Sequence, residues 1–419
     1  MMYLFPPEDL PPRVRFEKLF SHLPSLARKI NPRGRPAFDR NALLRALIYQ
    51  HLRGLPSLTD LAFELENNLA VAAACGLSTF QHPPSRERFS RFLRTTPHAD
   101  LEDLRKSLVR SLIRENVISG DILAMDSCAI EANVHENNLK ALFRRDRFDK
   151  TKFPRGDPDA RLGVKILFPQ PFQAKVTLYW GYRNHIVLDT AAELPLYEIT
   201  LPNDRDEARV AIPMLREIAA LSLPISAVTG DAHYDSEDIL SFIALEMKAQ
   251  PVIPLNPRGR RDDSFRLQKD AVLCPASLPM YRRGHCQSRG RSYLQYSCPL
   301  HWDKTYRGKY LLCPAGHPKF VNQKGCYYLL RLSPSIRDTI DYGSQRFKEI
   351  YSHRTSVERG FSRLLAIAMQ NPTVVGLAAT RNHCTVSHIT MLLVALAAHR
   401  EGYPDKIRYV KSFLPRYLV

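Results

Sequence analysis

No apolar run in the 419-residue chain reaches the length of a membrane span. The nearest, TVSHITMLLVALAAHR at 385–400, is broken by His and Ser and suits a buried helix. The opening stretch MMYLFPPEDLPPRVRF lacks the basic-then-apolar pattern of a signal peptide, so a cytoplasmic protein with no membrane partner is expected. Cysteine is thinly spread: eight residues, none in a Cys-x-x-Cys pair, which excludes a small disulfide-held secreted scaffold and leaves thiols or a metal. A glycine-rich loop of nucleoside-triphosphatase spacing is missing too, so nucleotide hydrolysis is not expected. Acidic residues are outnumbered, 42 against 60 Lys and Arg, for a net charge of +18. That surplus points to a polyanion partner, nucleic acid foremost.

What is present begins with helices. After a Pro-broken leader over residues 1–30, Leu44, Leu47, Ile48 and Leu52 recur at helical spacing. The stretch GLPS ends that helix, and Ser57 can cap the next, which buries Leu58, Leu61, Ala62 and Leu65. Ser85 can cap a third, burying Phe89, Phe92 and Leu93, with Arg86, Arg88, Arg91 and Arg94 around its remaining surface. Residues 33–95 thus read as a helical unit. Its Arg-rich last helix is either a reader in a helix-turn-helix-like array or a solvated helix of an ordinary bundle.

The pattern changes at residue 121. DILAMDSCAIEAN reads as a strand, 137–165 as a polar basic loop, and 185–192 and 197–203 as two further strands. A helix over 204–221, a strand within 225–236, a second helix and a strand at 251–256 complete a mixed α/β order. Asn203 and Asp206, ahead of the first helix, are candidates for capping or for a functional role; His233 and Tyr234 are candidates for substrate contact or for filling a turn. Residues 258–345 are rich in Arg, Gly and Cys, with short aromatic runs (SYLQYSC, KYLLC, CYYLLRL), and read as an inserted β-rich segment. Its Cys274, Cys286, Cys298, Cys313 and Cys326 lie with His285, His301 and His317, and read as either a zinc-ribbon-like knuckle or buried thiols.

Three carboxylates stand out. Asp126 lies inside an apolar strand, Asp231 ends a strand, and Glu358 sits on a late helix expected from about 345 to 369. A carboxylate within an apolar strand is costly unless paired or bound to a cation. A strand Asp, a strand-end Asp and a helical Glu can converge as hard oxygen ligands for two Mg²⁺ ions, the arrangement that clamps a phosphoryl transfer. The alternative is three separate structural acids, with a capped turn at Asp231 and an ion pair from Glu358 to Arg354 or Arg359. Tyr351, Arg354 and Glu358 share one stripe of the late helix, while Val357, Phe361, Leu364 and Leu365 read as its buried face.

Taken in order, RGRPAFDRNALLRALIYQHLRGLPSLTDLAFEL, MDSCAIEAN, DPDAR, WGYRNHIVLDTAAELPLYEITLPNDRDEA, TGDAHYDS and YSHRTSVERGFSRL resemble the DDE transposases of bacterial insertion sequences, in the group with a Tyr-Arg-Glu signature. The resemblance implies an RNase H-like mixed sheet with flanking helices, interrupted by a β-rich insertion and preceded by an all-α DNA-binding domain. The implied segments are 1–120 (helical), 121–257 (first catalytic part), 258–345 (insertion) and 346–419 (catalytic and C-terminal helices). It also implies Asp126, Asp231 and Glu358 as the triad for Mg²⁺ or Mn²⁺, with Arg354 reaching a phosphate and Tyr351 bonding a DNA backbone or the Arg. The family signature ends in a Lys seven residues after the Glu; here that position is Leu365, with Arg363 placed to take over its contact.

The activity so implied is metal-dependent cleavage and strand transfer of double-stranded DNA, at terminal inverted repeats held by the N-terminal helices. A homodimeric synaptic complex in a bacterial, nucleoid-associated setting goes with it. The alternatives are an inactive DNA-binding relic and a metal nuclease that does not transpose.

Overall fold

Helices come first among the described residues: α1 (Pro12–Ser21), α2 (Arg40–Arg53), α3 (Leu58–Asn67), α4 (Leu69–Ala74), α5 (Arg86–Thr95) and α6 (His98–Arg114). In this computed structural model the described residues are 12–26, 38–170, 173–204, 207–256, 265–268, 271–288, 291–317, 320 and 325–411. Asp39 caps α2 through the Asn41 N–H, and Gly54, left-handed at φ 63°, ends it. Ser57 caps α3 through the Asp60 N–H. Ser85 stands at the start of α5, but its side chain makes no capping bond, contrary to expectation. Leu44, Leu47, Ile48, Leu52, Leu58, Leu61 and Leu65 are buried, and Ala62 is half-buried.

The sheet is built from β1 (Ile122–Glu131), β2 (Arg161–Gln170), β3 (Gln173–Asp189), β4 (Leu194–Pro202), β5 (Ala227–Thr229) and β6 (Gln250–Val252). β3 runs antiparallel to β1, β2 and β4, whereas β1–β5 and β5–β6 are parallel. β4 pairs with residues 182–189 of β3 and β2 with its first half, 173–181. The core order is therefore β4-β3-β1-β5-β6, the mixed order of an RNase H-like sheet. The hairpin of β2 with the first half of β3 was not expected: 137–165 reads as loop, and β3 begins twelve residues before His185. Val164 and Val176 on this hairpin are exposed, and these apolar residues in solvent blur the alternation that marks a strand.

Between β4 and β6 lie α7 (Glu207–Ala219) and α8 (Glu237–Ser241). Asn203 does not cap α7. It accepts from the Tyr179 hydroxyl at 3.1 Å and donates to the Arg161 carbonyl at 3.1 Å, tying β2 and β3 together, while Asp206 falls outside the described residues.

Residues 254–342 make a compact unit of their own. It holds a ribbon of β7 (Arg266–Gln268) and β8 (Ala271–Leu273), then β9 (Tyr281–Ser288), β10 (Arg291–Ser297), the short α9 (Pro299–Trp302) and β11 (Tyr327–Arg331). The last three strands form an antiparallel sheet in the order β11-β10-β9. SYLQYSC and CYYLLRL supply β10 and β11 as expected; KYLLC forms irregular bends instead of a strand.

The remaining helices, α10 (Gln345–Ser352), α11 (Thr355–Ala366) and α12 (Leu377–Arg400), belong to the first unit. α12 is buried almost all round and packs on α2, α5, α6 and β4, as an interior helix does. The helices at the start of the chain and the sheet therefore share one core. Asp157 and Asp159 of DPDAR hold the N-terminus of α12: the Gly376 N–H donates to Asp157 and the Leu377 N–H to Asp159, each at 3.0 Å. The Tyr182 hydroxyl completes the Asp157 site at 2.6 Å. Farther along, Glu198 of β4 accepts from Thr385 at 2.6 Å and from Asn184 at 2.8 Å; burial pushes its carboxyl up to about 7. No helix among the described residues is long and apolar enough to cross a membrane.

Candidate active site

The register of β1 on β5 sets the two aspartates side by side. Ala124 pairs with Thr229, and Asp126, in the middle of β1, and Asp231, just past the end of β5, each lie two residues beyond that pair. Ligands of open α/β sheets bind beyond the carboxyl ends of parallel strands such as β5. Asp126 is mostly buried and accepts from the Ser127 N–H at 2.7 Å. Burial raises its carboxyl to about 6, against the Ser127 N–H, with the charges of Asp231 and Glu358 pushing the same way and Arg354 opposing them.

TGDAHYDS acquires a local account. Asp231 accepts from both the backbone N–H and the ring Nδ1 of His233, each at 2.9 Å. Tyr234 is fully buried and fills the turn, its hydroxyl without a hydrogen-bond partner among the described residues. A Cβ on Gly230 would come within 3.0 Å of the Tyr234 ring, which explains a glycine there. Ser236 then caps α8 through the Ile239 N–H.

Glu358 arrives from α11. The stretch expected as one helix is two, α10 and α11, joined by a tight turn at His353 and Arg354 held by i to i−3 bonds (Arg354 N–H to Tyr351, Val357 N–H to Arg354). The stripe survives the turn. Nη2 of Arg354 donates to Oε1 of Glu358 at 2.6 Å, and Nη1 stands 3.9 Å from Oδ2 of Asp126. The guanidinium lies over the Tyr351 ring at 5.9 Å, and that ring stacks on Phe347. Leu365 is exposed, while Val357, Phe361 and Leu364 are buried.

What holds α11 in place is not visible in the local sequence. Glu193, in the β3–β4 turn, is buried and takes Arg359 at 2.7 Å and Arg363 at 3.0 Å. Nη2 of Arg363 also donates to the Glu193 carbonyl at 2.6 Å, so Arg363 is committed to the fold and not to the contact expected of it. Gly360 lets α11 lie close on β3, since a Cβ there would meet Leu188 at 2.5 Å.

All the donors here are carboxylate oxygens, the set that suits a hard divalent cation, and Asp126 carries unspent negative charge. Among the described residues no three His, Cys, Asp or Glu side chains already form an ion cage; at this site the counter-charge is Arg354. Elsewhere, Arg86, Arg88, Arg91 and Arg94 are all exposed on α5, opposite its buried Phe89, Phe92 and Leu93.

The sheet order, with one carboxylate in the middle of β1, one just past β5 and one on the helix beside them, defines an RNase H-like protein. The chain belongs to the transposase DDE domain family, whose pattern matches residues 170–389, and residues 4–95 match a second transposase domain, DUF772. It is accordingly a DDE transposase of insertion-sequence type. None of the curated proteins compared matches it. Among solved structures, a piggyBac transposase synaptic complex with hairpin DNA is similar at 12% identity and a TM-score of 0.40, over 97% of this chain and 83% of that one. A score that low adds nothing to the assignment.

Proposed function

We propose that Asp126, Asp231 and Glu358 are the catalytic carboxylates of this transposase and that double-stranded DNA, at the ends of its element and at the target, is the substrate. The observation that carries this reading is the equal placing of Asp126 and Asp231 beyond the Ala124–Thr229 pair, with Glu358 linked to Asp126 through Arg354. Mg²⁺ or Mn²⁺ held by the three carboxylates would supply Lewis acidity at the phosphate and make the attacking oxygen a better nucleophile.

The chain's own residues do the rest. Asp126 and Asp231 orient from the rigid sheet. Arg354, released from the carboxylates, offers parallel donors to a phosphate, and the Tyr351 ring keeps it aimed. Arg86, Arg88, Arg91 and Arg94 on α5 contact the phosphates of the terminal repeats. Cleavage and strand transfer are both in-line displacements at phosphorus, so one set of carboxylates serves both. The synaptic complex is a homodimer, and the protein works at the bacterial nucleoid.

The test is incubation of purified protein with labelled element ends and Mg²⁺. Asp126→Ala, Asp231→Ala and Glu358→Ala are each expected to abolish cleavage while DNA binding survives. Near-wild-type cutting by any one removes that residue from the triad. Cutting without strand joining would favour a nuclease.

A further inference from the structure

The thiols of the 254–342 unit are drawn together in a way its small core does not require. Cys274, Cys298 and Cys326 come from three separate segments, yet all three are buried in one cluster. Cys313 packs against the same cluster. A cavity of about 160 Å³ is lined by all four and by His317.

The backbone around these sulfurs is arranged to favour thiolates. Cys274, Cys298 and Cys313 are each followed by proline, in Cys-Pro-Ala-Ser, Cys-Pro-Leu-His and Cys-Pro-Ala-Gly. Each opens a turn: the Ser277 N–H returns to the Cys274 carbonyl at 2.8 Å, the His301 N–H to that of Cys298 at 3.3 Å, and the Gly316 N–H to that of Cys313 at 2.8 Å. Ser277 and Gly316 hold positive φ, 58° and 65°, to close the first and last. Cys326 and the backbone N–H groups of the first two turns hold the Cys274 and Cys298 thiols below their usual range, which favours metal-binding thiolates. Three turns that each bring one cysteine to one cavity build a site that no Cys-x-x-Cys spacing announces.

We propose that Cys274, Cys298, Cys313 and Cys326 bind one zinc ion, a structural centre for this unit, separate from the carboxylate triad. The four sulfurs are not yet spread around a centre in this structure. A tetrahedral zinc–thiolate centre has sulfurs about 3.8 Å apart, from bonds of about 2.3 Å. Binding forms metal–sulfur bonds and releases the thiol protons to solvent. A unit whose core is this small gains from such a staple. Cys286, on β9, lies outside the cluster and serves as the control.

The experiment is metal analysis of the full chain purified under reducing conditions from zinc-supplemented cells. The expected result is one zinc per chain, released by a mercurial in step with thiol loss. Exchange for cobalt(II) should give thiolate charge-transfer and intense tetrahedral bands. Cys326→Ser should lose the zinc and Cys286→Ser keep it. Should Cys326→Ser fail to fold, the wild-type zinc content and cobalt spectrum decide. A zinc-free wild type without cobalt bands overturns the proposal, as does a disulfide among these cysteines or zinc loss in Cys286→Ser alone.

Discussion

Arg354 bridges the two halves of the site: one guanidinium nitrogen is 2.6 Å from Glu358 and the other 3.9 Å from Asp126. The sheet acid and the helix acid are thus joined by a cation belonging to the protein. An ion or a phosphate entering the site competes with that arrangement directly.

Arg354→Lys separates two roles. An i,i+4 ion pair on a helix surface is worth a few tenths of a kcal/mol, and lysine preserves its charge. Lysine cannot present two parallel donors. The expected outcome is a loss of strand cleavage or joining of roughly tenfold, about 1.4 kcal/mol in the barrier, with the melting temperature little changed. Near-normal rates in single-turnover assays would reduce Arg354 to a surface partner of Glu358.

Asp126 should make stability depend on pH. Its carboxyl titrates near 6 in the fold, raised from 3.8 chiefly by burial. Across that window the native state binds more protons than the unfolded chain, so stability falls as pH rises from about 4 to about 6 and then levels off. Asp126→Asn should be more stable than wild type at neutral pH by on the order of 2 kcal/mol, with the gain fading below about pH 4. Urea denaturation of both proteins in metal-free buffer across that range checks it; a pH-independent difference would count against it.

Glu193→Gln tests the anchor of α11. It strands Arg363, whose side chain is only 15% exposed, and should cost on the order of 3 kcal/mol. Arg359→Gln, at an exposed partner, should cost less than about 1 kcal/mol. Because α11 carries Glu358, cleavage by Glu193→Gln should also fall at temperatures where calorimetry shows it fully folded.

Replacing Arg86, Arg88, Arg91 and Arg94 together by Ala should weaken binding to element ends. The log–log salt slope should flatten by roughly 0.9 for each phosphate that the helix no longer neutralises. These side chains are exposed, so the melting temperature should hold. An unchanged salt slope would turn this face away from DNA.

Asp126, Asp231 and Glu358 can be picked out in the sequence because each sits in a local pattern of its own: an acid in an apolar strand, at a strand end, on an amphipathic helix. Glu193 cannot, because its meaning lies in Arg359, 166 residues away. Asp157 likewise acquires its role only from the Gly376 N–H, 219 residues away. The β2–β3 hairpin is hidden because its exposed Val164 and Val176 blur the strand alternation. The thiol cluster stays undecided in the sequence because three turns give one sulfur each, and spacing shows ligands only when one turn gives two. The turn at His353 is silent because its residues keep right-handed helical dihedrals: only the hydrogen bonds shorten.

Interior α12 has a consequence for synthesis. The early helices and the strands leave the ribosome long before residues 377–400, which fill the space they share. Glu358 also emerges after the 254–342 unit. A nascent chain therefore holds two aspartates without their partner helix, and an α5 whose inner face awaits α12. The carboxylates of the proposed site thus come together only after the greater part of the chain has been made.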